Sequence, residues 1–195
     1  MSMRSCLCFL FVLTFMSCSI NHHYESVEKV SYEDFKDTKK LKGHILTFDS
    51  LIMNPVDIQV IDSLLLVVDS YDEKHVQLYN LNTKKKIGSR IFSGQGPNDM
   101  LQPVFVKNDM KLIQLFDMAT SSLFQYDVKT FIENETPKPL RKIKLDKRPI
   151  NSIEVLKNRI YGYSCMTEKQ LFVFDAEKGN NIADLVDFPH SNIPY

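Results

Sequence analysis

The sequence predicts an all-β protein, a β-propeller of four-stranded blades, and three observations carry that expectation. First, an aromatic-polar-aliphatic triplet closes a short apolar run three times, as Tyr79-Asn80-Leu81, Tyr126-Asp127-Val128 and Phe174-Asp175-Ala176, with successive aromatics 47 and 48 residues apart. Second, Pro55 and Pro103 lie 48 residues apart, as do Asp69 and Asp117, so the repeat holds over a whole unit. Third, each unit reads as short apolar or alternating runs punctuated by turn residues. A period of roughly 40–50 residues made only of short strands is the signature of propeller blades.

The N-terminus reads differently. Residues 1–17 carry one cation, Arg4, and an apolar stretch from Cys6 to Met16 that is too brief for a stable membrane span. This is a secretory signal. Phe15-Met16-Ser17-Cys18 resembles a bacterial lipobox, with Phe15 in place of the usual Leu, and implies lipidation of Cys18. Ordinary signal cleavage with an unmodified Cys18 is the alternative. Several acyl chains would hold the protein on a membrane face, where one alone binds only marginally. Residues 18–40 are polar and without a sustained period, and read as a tether.

From residue 41 to 195 the chain reads as a partial propeller with units at about 55–102, 103–150 and 151–195. A strand at Gly43 to Asp49 precedes the first unit and is placed to complete the last blade of a ring. The first unit places strands at Asp57–Val60, Leu64–Asp69, Val76–Asn80 and Ile87–Phe92. The second places them at Val104–Lys107, Lys111–Asp117, Leu123–Asp127 and Arg141–Leu145. The third places them at Ile153–Leu156, Arg159–Tyr163, Leu171–Asp175 and Ile182–Asp187. Asp62-Ser63, Asn108-Asp109 and Lys157-Asn158 form matching tight turns. The second strands of the first two units, Leu64-Leu65-Leu66-Val67-Val68 and Leu112-Ile113-Gln114-Leu115-Phe116, are apolar on nearly every residue and predict burial on both faces. The third strands alternate more and are expected further out. Three units fall short of the roughly four to eight blades of closed propellers. The simpler expectation is a piece of a longer protein; the alternative is a ring closed by two or more copies.

Composition removes several function classes. With 24 basic and 24 acidic residues there is no net field to draw nucleic acid. Lys84-Lys85-Lys86 reads as a solvated hairpin. His22 and His23 are adjacent on a tether and point apart, while His44, His75 and His190 fit no metal-ligand spacing. Cys165, the one thiol left after Cys6, Cys8 and Cys18, is expected to be a buried or half-buried bystander. No catalytic residue, metal site or cofactor is predicted.

Gly94-Gln95-Gly96-Pro97-Asn98-Asp99-Met100 joins the first two units. Its glycines can take positive φ and Pro97 fixes its own, so the loop reads as a sharp structural turn, with Gly94, Gly96 and Pro97 as possible ligand contacts. It lacks the helix and the Lys-Ser or Lys-Thr pair of a phosphate cradle. With Cys18, Leu41-Lys42-Gly43, Pro55 and Val67-Val68-Asp69, this loop resembles the TolB-like six-bladed propeller lipoproteins of Bacteroidetes over roughly residues 32–187. In that family an acid and an aromatic commonly follow the loop; Asp99-Met100 keeps the acid only. The resemblance implies a six-bladed ring of which about three blades are present, and carries over no catalytic residue.

The function expected is a non-enzymatic binding or scaffolding module, lipid-anchored in the bacterial cell envelope on a periplasmic or outer-membrane face, with a protein or glycan partner. The alternatives are a hydrolase or lyase with a metal in the central channel, or a nonfunctional remnant. The enzyme would need acidic or imidazole groups at matching places in several blades. Asp57 and Glu154 qualify, but the second unit offers Phe105 and Val106.

Overall fold

The computed structural model of the chain describes residues 31–35, 39–107, 112–146 and 149–187. It divides into two compact parts, Met1–His44 and Ile45–Tyr195. The signal, Cys18 and most of the tether lie outside the described residues. In the first part a single 3-10 turn spans Tyr32–Asp34, with the Asp34 carboxylate accepting the Ser31 N–H at 2.6 Å.

The second part holds three four-stranded antiparallel meanders. Blade 1 is β1 (Pro55–Ile61), β2 (Leu64–Asp69), β3 (Lys74–Asn80) and β4 (Lys85–Phe92). Blade 2 is β5 (Pro103–Phe105), β6 (Leu112–Asp117), β7 (Ser122–Asp127) and β8 (Arg141–Lys144), with helix α1 (Val128–Glu133) between its last two strands. Blade 3 is β9 (Ser152–Leu156), β10 (Arg159–Tyr163), β11 (Lys169–Asp175) and β12 (Asn181–Asp187). Each of the twelve unit strands overlaps its expected span, with ends shifted by a residue or two; β5 departs most, running Pro103–Phe105 where Val104–Lys107 was expected. The strand expected at Gly43–Asp49 does not form, because no neighbouring strand among the described residues offers it a ladder; Ile45 is 96% exposed. The tight turns after β1 and β9 place Asp62 at φ 52° and Lys157 at φ 54°. The matching turn at Asn108-Asp109 lies outside the described residues.

The core lies between blades, not within one. Strand periodicity sends successive side chains to opposite faces, so blade 2 feeds two layers. Leu66, Val68, Val76 and Leu78 of blade 1 pack with Ile113, Leu115, Phe124 and Tyr126 of blade 2. Phe116, Leu123 and Ile143 from the other face of blade 2 pack with Ile153, Ile160, Phe172 and Phe174 of blade 3. Burial of β2 and β6 on both faces accords with the expectation, whereas β10 alternates between buried Ile160 and exposed Tyr161 and Tyr163. The third strands depart from the expectation of an outer position: β3 is buried from His75 to Tyr79, because β4 shields its edge. Gln77 is tolerated there since its Nε2 donates to Asp72 Oδ2 and the Lys74 carbonyl, and its Oε1 accepts from Ser89 Oγ.

The repeated triplet has a physical division of labour. The aromatics Tyr79, Tyr126 and Phe174 are at most 1% exposed; Tyr126 and Phe174 fill the two layers, and Tyr79 packs on the other face of blade 1 against Phe48. The polar residue after each folds the next turn back on its own side chain. Asn80 Oδ1 accepts the Asn82 and Thr83 N–H groups, Asp127 Oδ1 accepts that of Thr130, and Asp175 Oδ1 accepts those of Glu177 and Lys178. These bonds, led by Thr130 and by Lys178 respectively, hold the Asp127 and Asp175 carboxyls below their ordinary range. In blade 2 the same cap starts α1, which buries Phe131 edge-on against Tyr126 with ring centroids 5.0 Å apart. The sequence reading missed this helix, although Asp127 followed by Thr130 and Phe131 is a legible cap and anchor.

The other repeated acid clasps the lead-in to each blade. Asp69 accepts from Met53, Asn54 and Tyr71 N–H groups at 2.8–3.1 Å, and Asp117 accepts from the Gln102 N–H and Thr120 Oγ1. Blade 3 has Ser164 at this place, its Oγ accepting the Met166 N–H. Burial pushes the Asp69 carboxyl up, but the N–H groups of Tyr71, Met53 and Asn54, with Lys86, outweigh it and hold it below the usual range.

Two predictions follow from these layers. Tyr126→Ala should cost about 3–5 kcal/mol by urea denaturation, whereas Tyr126→Phe should be neutral or stabilising, since the Tyr126 hydroxyl is buried without a partner. Asp69→Asn should cost about 1–3 kcal/mol at pH 7. Because its folded pKa is depressed, Asp69 stabilises the fold above the unfolded value and this contribution fades as pH falls below about 4. The variant's urea midpoint should therefore fall less steeply in acid than the parent's; parallel slopes would refute the assignment.

Candidate functional site

The loop from Gly94 to Met100 is a tight closure built around one carboxylate. Gly94 donates to the Met100 carbonyl, Met100 to that of Phe92, and Asp99 to that of Gly96. Asp99 Oδ2 in turn accepts the Gly96 N–H at 3.0 Å. Gly94 and Gly96 do not use positive φ, contrary to the sequence expectation; Gly179 is the one glycine among the described residues that does. Their requirement is space: a Cβ on Gly94 or Gly96 would meet Asp99 Oδ2 at 2.7 or 2.4 Å. Met100 is fully buried in the layer between blades 1 and 2, and its carbonyl accepts a hydrogen bond from His75 Nε2 at 3.2 Å.

Beside the loop lies a cleft of about 420 Å³ lined by Gln95, Asp99, Thr120, Ser122, Lys142 and Lys144 among others. Lys142 spans it, its Nζ donating to the Pro97 carbonyl at 3.1 Å and lying 4.6 Å from the Phe124 ring centroid. Gly94 and Gly96 thus border a partly basic hollow of mixed polar and apolar lining, and Pro97 offers its carbonyl to the lysine that closes it. The lysines and Thr120 went unnoticed in the sequence because they come from blade 2 and reach the loop only through the fold. A second cleft, about 670 Å³, opens between the β1–β2 turn and α1 beside Gln59, Asp62, Asp127 and Lys129.

Of the two acids considered for channel chemistry, Asp57 is engaged otherwise. Asp57 Oδ1 accepts the Ile58 N–H and Oδ2 the Phe105 N–H at 2.8 Å, tying the innermost strands of blades 1 and 2. Glu154 is exposed on blade 3. No group of three His, Cys, Asp or Glu suited to a metal occurs among the described residues. Cys165 is exposed, not buried as expected. It follows β10 at the rim, where its N–H and Sγ both donate to Asn151 Oδ1. His22, His23 and His190 lie outside the described residues.

Four-stranded meanders that stack face to face, each closed by the same polar turn, define the chain as β-propeller blades. It belongs to the TolB-like 6-blade propeller-like family, whose sequence profile matches residues 34–194. Among solved structures, a presumed exported protein of Bacteroides fragilis NCTC 9343 is similar, with 17% identity and a TM-score of 0.51, over 77% of this chain and 41% of that one. Kuenenia stuttgartiensis hydrazine synthase gives 15% identity and a TM-score of 0.48, over 77% and 40%. The computationally designed Ika4 protein gives 9% and 0.48, over 75% and 82%. The chain thus spans about two-fifths of the length of the two natural proteins. No curated protein matches it.

The loop geometry sets a coupling test. Gly96→Ala should cost about 1–3 kcal/mol by displacing the Asp99 carboxylate. In an Asp99→Ala background the same change should cost at most about half as much. Equal costs in both backgrounds, measured by chemical denaturation, would show that the carboxylate does not dictate the glycine.

Proposed function

We propose that the protein is a non-enzymatic binding or scaffolding module, exported and held in the bacterial cell envelope by lipid on Cys18, that presents propeller loops to a glycan or protein. The observation that carries the binding reading is the cleft beside Gly94, Gly96 and Pro97. It gathers hydrogen-bonding groups of both kinds (Gln95, Thr120, Ser122 and two lysines) around a hollow of about 420 Å³. Such a mixture suits a hydroxyl-rich ligand carrying an acidic group, bound by hydrogen bonds and the lysine charge. Its one acid, Asp99, is engaged by the loop backbone, which supports binding over acid–base chemistry. The export signal and the Cys18 lipobox supply the envelope reading, and the similarity to a presumed exported protein supports it.

Two measurements test the parts separately. An alkyne fatty acid fed to the expressing bacterium should label the wild-type chain in the membrane fraction, and Cys18→Ala should abolish the label and release the chain. An unchanged label would sink the anchor. On an array of acidic envelope glycans, wild-type protein should be retained and a Gln95→Ala, Lys144→Ala double variant should lose at least about tenfold in affinity, the effect of two lost polar contacts. Equal retention of both proteins would remove the cleft from the binding surface.

A further inference from the structure

The second cleft, between the β1–β2 turn and α1, takes no part in the binding surface proposed above. Strand direction reverses at every turn of an antiparallel meander, so this turn and this helix stand at the end of the blades opposite to the Gly94–Met100 loop. Among the described residues the two clefts share none. At about 670 Å³ this one is also the roomier, within the range of pockets that hold small organic molecules.

Aliphatic and acidic groups divide its lining. Ile61, Val128 and Ile132 stand half-buried on the wall and pack from behind on the layer between blades 1 and 2, so this apolar surface is held in place by the core. The charged groups are three carboxylates, Asp62, Asp127 and Glu133, against Lys129 alone. Asp62 comes from the turn and Glu133 from the end of α1, so negative charge enters from both sides. Asp127 spends Oδ1 on the Thr130 N–H and hydroxyl; the first of these bonds does most to keep its carboxyl below the ordinary range, and so ionised at neutral pH. Gln59 adds a polar group whose Oε1 is buried without a hydrogen-bond partner. A turn of that amide toward a donor in the cleft breaks no bond of the oxygen and makes one.

Aliphatic surface beside ionised carboxylates selects against two classes of ligand. An anion is repelled, and a small hydrated cation leaves the apolar wall uncovered. A cation with an apolar body answers both. We propose that this cleft binds a small amphipathic amine, with its apolar body on Ile61, Val128 and Ile132, its ammonium group toward Asp62 and Glu133, and a neutral N–H or O–H donor toward Gln59. Covering the aliphatic side chains supplies the affinity, and the carboxylates decide which sign of charge is accepted.

Tryptamine carries all three parts and serves as the probe in isothermal titration calorimetry of the purified protein. It should bind, and more weakly as salt is raised. Indolepropionate keeps the ring and reverses the charge, and should bind at least about tenfold less tightly. The same loss is expected for tryptamine on an Asp62→Asn, Glu133→Gln double variant, since asparagine tolerates the φ of 52° found at Asp62 and the turn is kept. Methylating the ring nitrogen of tryptamine should weaken its binding to the wild type but not to Gln59→Leu. The Gln95→Ala, Lys144→Ala variant of the other cleft should bind tryptamine as the wild type does, which separates this site from the surface proposed above. No binding of tryptamine, equal binding of the amine and the acid, an unchanged rim variant, a Gln59→Leu variant that still prefers the ring N–H, or loss of binding on the Gln95 and Lys144 variant would each overturn the proposal.

Discussion

The second strands of blades 1 and 2 are buried on both faces, so neither sheet is stable on its own, and the contact between successive sheets governs everything else. Blade 2 shows this fully: Ile113 and Leu115 feed one layer while Phe116 feeds the other, from adjacent positions of a single strand. Alternation forces the arrangement, because neighbouring residues cannot share a face. Apolar area removed from water contributes about 25 cal/mol per Å², and here most of that area lies between blades. Stability is therefore a property of neighbours, as in other repeat architectures.

Polar side chains at the blade margins set the geometry in which those layers form. Acids and one asparagine fold the turns after the third strands, and Asp69 and Asp117 hold the lead-in segments. Most of these groups accept from backbone N–H donors that the sheets leave over, which is why buried acids such as Asp117 are tolerated. The same economy bears on function. Asp57, Asp69, Asp99, Asp117, Asp127, Asp146 and Asp175 all serve as backbone acceptors, so an acid in a propeller repeat is not by itself a sign of chemistry.

The strands were legible because their signal is local: apolar runs, alternation and turn residues at fixed spacing. Gly43–Asp49 carries the same signal and forms no strand, since a strand needs a partner that its own residues cannot supply. The helix at Val128–Glu133 was hidden by a repeat that led the eye to expect a plain hairpin after Asp127. The loop was seen as special for the wrong reason: backbone freedom was expected, whereas the glycines make room for Asp99. The cleft beside it could not be read at all, because Lys142 and Lys144 join Gln95 only through the stacking of one blade on the next. Cys165 was misplaced because a strand end among aromatic neighbours looks buried in sequence, while its position just beyond the rim leaves it in water.

Arg90 on the outer strand of blade 1 sits 5% exposed and donates from Nε to the Phe131 carbonyl at 2.8 Å and from its fork to that of Ile132, at the end of the helix in blade 2. These partners belong to a feature that neither neighbouring unit possesses. The units have thus ceased to be interchangeable cassettes. A duplicated or shuffled copy of blade 1 placed elsewhere in the array would bring a buried guanidinium to a site with no carbonyls to receive it, so lineages that lengthen or shorten this protein must do so away from the first junction.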